Sequence, residues 1–232
     1  MKKLVVTLAV LALIALGLDR GGVLVAERIA GDSLQESQGL SERPEVSIDG
    51  FPFLDQLVAG RYDRVEVVLR EVPLTGDAGV SGAAALRLAR LDVTLRRVET
   101  SRDFTRIDVG RARADALISL ADLGDALGLR LAVDGDGRLT ASRTFTVLGE
   151  EVTPSITIEP VIVDGALSLS EFTVNGAVDP TGALASALDE ILGISVPLTG
   201  IPFDVRLEGL RVAADGLHLS LSGSDLSYVS PG

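Results

Sequence analysis

The sequence predicts an α+β domain built on a mostly antiparallel sheet, and three observations predict it. From Glu45 onward the apolar residues recur with period two, the spacing of strands that bury one face. Tight-turn signals join successive strands, which makes neighbours in sequence antiparallel neighbours in space. A few short segments switch to helical spacing between recognisable start and stop residues. The chain has 232 residues, 47% of them hydrophobic. That aliphatic content is enough to bury a core and excludes general disorder.

The N-terminus reads as an address. Met1-Lys2-Lys3 precedes an uncharged run from Leu4 to Leu18, interrupted only by Thr7, and Asp19-Arg20 ends it. A positive end, an apolar stretch and a charged stop describe a secretory signal, with Ala15-Leu16-Gly17 as a small-x-small cleavage pattern. An uncleaved anchor competes with cleavage, because Val23 to Ala26 is apolar again and Glu27 to Ser37 has helical character. The run itself is shorter than the roughly 20 residues that span a bilayer comfortably. The expected organisation is therefore 1–20 signal peptide or membrane anchor, 21–40 helical connector and 41–232 α+β domain. An exported protein of the cell envelope or periplasmic space is expected, tethered to the inner membrane by residues 4–18 if the leader is retained.

Along the domain, Pro52 opens a helix over Phe53 to Ala59, and Gly60 stops it. Val65 to Leu69 follows as a strand. Gly76, Gly79 and Gly82 mark a loop, since no Gly-Lys-Ser/Thr follows to cradle phosphate. Ala89, Leu91, Val93 and Leu95 alternate with Arg90, Asp92, Thr94 and Arg96. Ser119 and Asp122 form a capping pair for a helix over Leu120 to Leu127, ended by Gly128. Asp134-Gly135-Asp136-Gly137 is a hairpin turn, and Leu139, Ala141, Arg143, Phe145 and Val147 form the apolar side of one strand. Ser155 to Val163 is another strand. Asp179-Pro180 starts a helix in which Leu184, Ala187, Leu188, Ile191 and Leu192 make one stripe before Gly193. Phe203 to Ala213 and Leu217 to Leu221 are strands joined by Ala214-Asp215-Gly216.

Composition removes most chemistries. There is no cysteine, which excludes disulfides, thiolate metal sites, cysteine nucleophiles and a lipoprotein anchor. His218, the single histidine, leaves too few ligands for a typical zinc site and should face outward beside Ser220 and Ser222. No Gly-x-Ser-x-Gly elbow presents a nucleophile. Asp134 and Asp136 resemble the start of a calcium loop, but its twelfth position is Phe145 where a glutamate is required. A net charge of −12 argues against nucleic acid as a partner. Aromatic residues make up 3% of the chain, which weakens a sugar-processing reading. No enzyme, cofactor or metal is expected.

Two features exceed this background. Between Arg87 and Arg113 eight arginines (Arg87, Arg90, Arg96, Arg97, Arg102, Arg106, Arg111 and Arg113) meet four acids (Asp92, Glu99, Asp103 and Asp108). The segment carries +4 in an acidic protein, which suits either a solvated strand face with ion pairs or an anionic headgroup or membrane surface. Arg143 falls on the aliphatic side of its strand, where it must reach water, an acid or a phosphate. A mean hydropathy of +0.37 with few helices to cover the strands leaves apolar sheet surface for a ligand or an interface. Aliphatic walls suit alkyl chains, so phospholipid and a membrane surface are the expected partners. The alternative is a structural or assembly partner that docks on another envelope protein.

The segment Gly50-Phe51-Pro52-Phe53-Leu54-Asp55-Gln56-Leu57-Val58-Ala59-Gly60-Arg61-Tyr62-Asp63-Arg64-Val65 resembles the LmeA-like family of actinobacterial envelope proteins. Gly200-Ile201-Pro202-Phe203, Leu207 to Val212, Asp215-Gly216-Leu217 and Gly223-Ser224-Asp225 fit it as well, with a weaker match at Ile118 to Leu123. The resemblance spans roughly residues 20–229. It implies an envelope protein that binds phospholipids, phosphoinositides included, with a role in lipomannan assembly or lipid transfer. It also implies a single domain with a long curved, mostly antiparallel sheet and a few short helices on its concave face, like tubular lipid-binding domains. No catalytic motif carries over. The helices then nominate acyl-groove residues: Phe53, Leu54, Leu57, Val58, Leu120, Leu123, Leu127, Leu184, Leu188, Ile191 and Leu192. Arg90, Arg96 and Arg143 are the headgroup candidates.

Overall fold

The structure is a computed structural model that describes residues 2–73, 87–103, 105–134, 137–142, 144–147, 150–153, 155–163, 166–175, 195–197 and 205–229. The helix expected after Asp179-Pro180, Arg143 and the glycine-rich loop at 76–82 lie outside the described residues.

The chain opens with α1 (Lys2–Gln38), a helix of 37 residues that continues through the apolar run into the segment expected as a connector. After β1 (Glu45–Asp49) come α2 (Phe53–Ala59), β2 (Arg61–Pro73), β3 (Arg87–Thr100), β4 (Arg106–Ser119) and α3 (Leu120–Leu127). The second half is strands: β5 (Arg130–Val133), β6 (Leu139–Ser142), β7 (Phe145–Val147), β8 (Glu150–Val152), β9 (Ser155–Val163), β10 (Ala166–Asn175), β11 (Ser195–Pro197), β12 (Arg206–Ala213) and β13 (Gly216–Val229). Among the described residues the strands form three sheets, in the orders β1-β2-β3-β4-β13-β12, β11-β10-β9-β6-β5 and β7-β8. The pairings β1–β2, β5–β6, β6–β9, β9–β10, β10–β11, β7–β8 and β12–β13 are antiparallel, and the α+β class holds.

The local signals behave as their chemistry requires. Gly60 and Gly128 end their helices at φ 65° and 64°, left-handed values that cost glycine nothing. The Ser119 hydroxyl accepts the Asp122 N–H at 3.0 Å and donates to the Asp122 carboxylate, which caps α3. At the β5–β6 hairpin, the Asp134 carboxylate accepts both the Arg138 N–H (2.8 Å) and the Arg138 guanidinium (3.0 Å). The β12–β13 ladder closes around Ala214-Asp215, and Glu208 adds a bulge between Leu207 and Gly209.

One expected strand is divided. Residues 139–147 alternate throughout, yet β6 pairs with β5 and β9 whereas β7, among the described residues, pairs only with β8. Period two reports that a segment is extended; it does not report which neighbour closes its ladder. β8 gives β7 a partner close in sequence, helped by a hydrogen bond between the Thr144 and Thr153 hydroxyls at 3.0 Å.

Two compact units share the chain. The first comprises Met1–Arg70, Asp92–Ala114 and Gly223–Gly232; the second comprises Glu71–Leu91 and Asp115–Ser222. In the first, Val23 of α1 and Phe53 of α2 are buried with Tyr62, Leu69, Val98, Val109, Ala112 and Leu226. In the second, Ile118, Leu123, Leu139, Ala141, Ile156, Leu217, Leu219 and Leu221 are buried. On β13, His218 and Ser220 face away from that core, as the alternation predicts, and His218 Nε2 lies 2.9 Å from Asp215 Oδ1.

Phe53 is 1% exposed and Val58, in the next turn of α2, is 88% exposed. Phe53→Ala should therefore cost about 3–5 kcal/mol in urea unfolding, whereas Val58→Ala should change stability by less than about 0.5 kcal/mol.

Candidate lipid-contact site

The site is built from α1, β1 and α2, all in the first unit. Its scaffold is one polar face of α1. Asp19, only 3% exposed, accepts the Leu54 N–H of α2 at 2.9 Å through Oδ1. That amide belongs to the first turn of α2, where N–H groups have no partner within the helix, and Pro52 at its N-cap supplies no side-chain acceptor. A carboxylate from a segment 35 residues earlier thus does the work of a local Ser or Asp, and its negative charge also suits the helix dipole. Two turns further along, the Glu27 carboxylate accepts the Ile48 N–H of β1 at 2.8 Å. Val23 lies between them and is buried. Residues 19, 23 and 27 are spaced by four, so a single face of α1 carries all three contacts.

Glycines allow the close approach. A Cβ at Gly31 would stand 2.9 Å from the Pro44 carbonyl oxygen, so only glycine lets α1 lie this near the start of β1. Arg43 reaches Asp32 at 3.4 Å across the same junction. Under α1, the pairs Val46–Val67 and Ile48–Val65 set β-branched side chains side by side across the β1–β2 ladder.

The opposite side of this assembly is apolar and uncovered. Leu18, Leu24, Val25 and Ile29 of α1 are exposed, as are Leu54, Leu57 and Val58 of α2 and Phe51 just before it. The Arg20 guanidinium stands 5.4 Å from the centre of the Phe51 ring, a cation–π contact at the edge of the patch. Most of the large exposed hydrophobic residues of the described chain lie on these two helices and Phe51. A concentrated aliphatic surface of this kind can take up acyl chains; isolated exposed aliphatics would not.

The nominated groove residues are placed as follows. Phe53 is a core side chain, with Leu54, Leu57 and Val58 exposed around it. In the second unit, Leu120 is half-buried and Leu123 is buried. The Leu127 side chain, Leu184, Leu188, Ile191 and Leu192 lie outside the described residues. Arg90 and Arg96 are exposed on β3.

The arginine-rich segment divides into paired and unpaired cations. Arg106 lies 2.9 Å from Asp108, Arg61 lies 3.4 Å from Glu99 and Arg87 lies 3.9 Å from Glu71. Arg97 sits at φ 53° and donates to the Gly110 carbonyl at 3.3 Å, over a glycine whose Cβ would otherwise meet its guanidinium. Among the described residues, Arg96, Arg102, Arg111 and Arg113 have no carboxylate partner. They leave part of β3, β4 and their connection positively charged. Three carboxylates are held below their ordinary value of 3.8 by hydrogen bonds: Asp103 from Ser101 and Thr105, Asp108 from Ser227 and then Arg106, and Asp215 from His218. Among the described residues no cluster of His, Asp and Glu is arranged to hold a metal ion.

The sequence model of one family, described as LmeA-like phospholipid-binding, matches residues 17–222, nearly the whole chain. The chain belongs to the LmeA-like phospholipid-binding family. The match begins two residues before Asp19, so the docked part of α1 lies within the LmeA-like region. No curated protein and no solved structure matches the chain. Phospholipid binding is thus the family's property, and the aliphatic surface and the uncompensated arginines have the chemistry for its two ends.

Asp19, Glu27 and the outward face of α1 were not among the sequence-nominated residues, because the segment reads as leader and connector. The signal was present: Asp19 and Glu27 share a helical face with Val23, and Leu18, Val25 and Ile29 share another.

Asp19→Ala should cost about 1–2 kcal/mol in urea unfolding, and Asp19→Asn should cost less because its amide oxygen still accepts the Leu54 N–H. Ser227→Ala should raise the Asp108 pKa toward 3.8 in an NMR titration. Because the folded-state values of Asp103, Asp108 and Asp215 are depressed, their stabilisation is present above the ordinary carboxylate pKa. It disappears as pH falls through the depressed values, so the native chain should lose stability on acidification there.

Proposed function

We propose that this chain is a non-catalytic, exported protein of the cell envelope that binds phospholipid, with aliphatic side chains taking the acyl chains and arginines the headgroup. The family match over residues 17–222 carries the reading. The exposed aliphatics of α1 and α2 support the acyl half, and the exposed Arg96, Arg111 and Arg113 of the neighbouring strands β3 and β4 support a preference for anionic headgroups such as phosphoinositides. Retention at the inner membrane by residues 4–18 follows from the uncharged run and its Lys2-Lys3 flank. Lipid transfer, or support of glycolipid assembly such as that of lipomannan, is the physiological use that such binding would serve.

The test is capture of fluorescent phospholipid from donor vesicles by the full chain, comparing phosphatidylcholine with phosphatidylinositol. Faster capture of phosphatidylinositol is expected, and Arg96→Gln should weaken it about fivefold, the effect of about 1 kcal/mol for one cation near an anionic surface. Equal indifference to both lipids, together with a stable oligomer or a stoichiometric protein partner, would favour the assembly-partner reading instead.

A further inference from the structure

We infer that the outward face of α1 together with α2 is a bilayer-contact surface, so that the helix leading into the domain lays the domain on the membrane rather than suspending it from a tether. The inference rests on the anchor reading of residues 4–18 proposed above, and it goes further by fixing which face of the folded unit meets lipid.

The geometry of α1 carries it. One uninterrupted helix of 37 residues, about 55 Å long at 1.5 Å per residue, includes both the uncharged run and the docked segment. No turn separates them at which an anchor could swivel. Asp19 and Glu27 then bind that helix to α2 and β1 through two backbone amides, so the orientation of the run is the orientation of the folded unit. The run from Leu4 to Leu18 is about 22 Å of helix, short of the roughly 30 Å hydrocarbon core. Among the described residues no helix is long and apolar enough to cross a membrane. A helix of this kind can still lie in the interface, provided that its apolar face continues.

It does continue. Ile14, Leu18, Val25 and Ile29 recur after one or two helical turns, and all four are exposed, on the side of α1 away from Asp19 and Val23. α2 extends this surface sideways. Its first turn is bonded to Asp19, and Gly22 of α1 faces the Phe53 and Leu54 side chains at 3.5 Å from an added Cβ. Phe51, Leu54, Leu57 and Val58 are exposed there, with Val58 projecting most. The charges suit a phospholipid surface better than a protein core. Arg20, stacked on Phe51, and Arg28 are exposed cations without a carboxylate partner among the described residues, and such cations attract lipid phosphates. Asp55 is the acidic residue on the exposed part of α2. An exposed aromatic ring and branched aliphatics with arginines at their margin form the composition of an interfacial surface.

The chain contains no tryptophan, so a single Trp reports its own depth. Val58→Trp, Val25→Trp and Ile14→Trp, all at exposed positions of the proposed face, would each be made in the full chain. Each would be mixed with phosphatidylcholine–phosphatidylglycerol vesicles carrying brominated acyl chains. A blue shift and loss of fluorescence at all three positions are expected, and Val58→Asp should weaken vesicle association of the otherwise native chain. Quenching at Ile14→Trp with none at Val25→Trp or Val58→Trp would leave the anchor intact and overturn the inference, since the domain would then hang free. Quenching at none of the three would overturn both the inference and the anchor reading. Near-UV and far-UV circular dichroism of each variant distinguishes misfolding, and the two domain positions report independently.

Discussion

Two carboxylates on one face of a helix hold the first unit together. α2 begins with backbone amides that its own sequence cannot satisfy, and β1 is a five-residue edge strand with its amides open on one side. Asp19 and Glu27 meet one demand each, and the residues between them bury Val23 in the process. Burying Asp19 is costly, and its Oδ2 finds no partner among the described residues. The placement survives because charge-assisted bonds to backbone amides at a helix start are among the strongest a carboxylate makes. The segment that an N-terminal leader would discard and the segment that the fold requires therefore meet near residue 19.

This constraint shapes what the surface can do. With the inward side of α1 committed to Asp19, Val23 and Glu27, its aliphatic residues can only point outward, where α2 adds its own. The same packing that buries Phe53 pushes Leu54, Leu57 and Val58 into the open. A helix of seven residues cannot bury every apolar side chain it carries, and the family block from Gly50 to Val65 contains both sorts. Its Phe53 and Gly60 serve folding, whereas its Val58 stays exposed. The arginines of β3 and β4 that lack a carboxylate partner among the described residues carry charge of the sign that attracts phosphate.

Most of the fold could be read in the sequence wherever a local rule governs it. The Ser119–Asp122 cap, the Gly60 and Gly128 stops, the Asp134 hairpin and the outward His218 all depend on residues within a few positions of one another. Long-range features were not readable in that way. Which partner β7 would choose depends on β8, and the cap of α2 depends on a residue in a distant helix. The site divides along the same line. Apolar residues of α2 were visible as a helix stripe, but stripe membership does not reveal that Phe53 turns inward and Val58 outward until α1 is in place. The outward face of α1 was hidden by its resemblance to a leader, since hydrophobicity alone does not tell an address from a contact surface.

That this chain holds phospholipid as a ligand is the claim on which the rest depends. Native mass spectrometry of the full chain, purified from membranes and released from detergent in the gas phase, followed by lipid analysis of an organic extract, addresses it most directly. Phospholipid in a fixed ratio to protein, enriched in an anionic headgroup relative to the membrane of origin, is the predicted result. A chain that emerges empty, and that remains empty after incubation with phospholipid vesicles, would contradict the account.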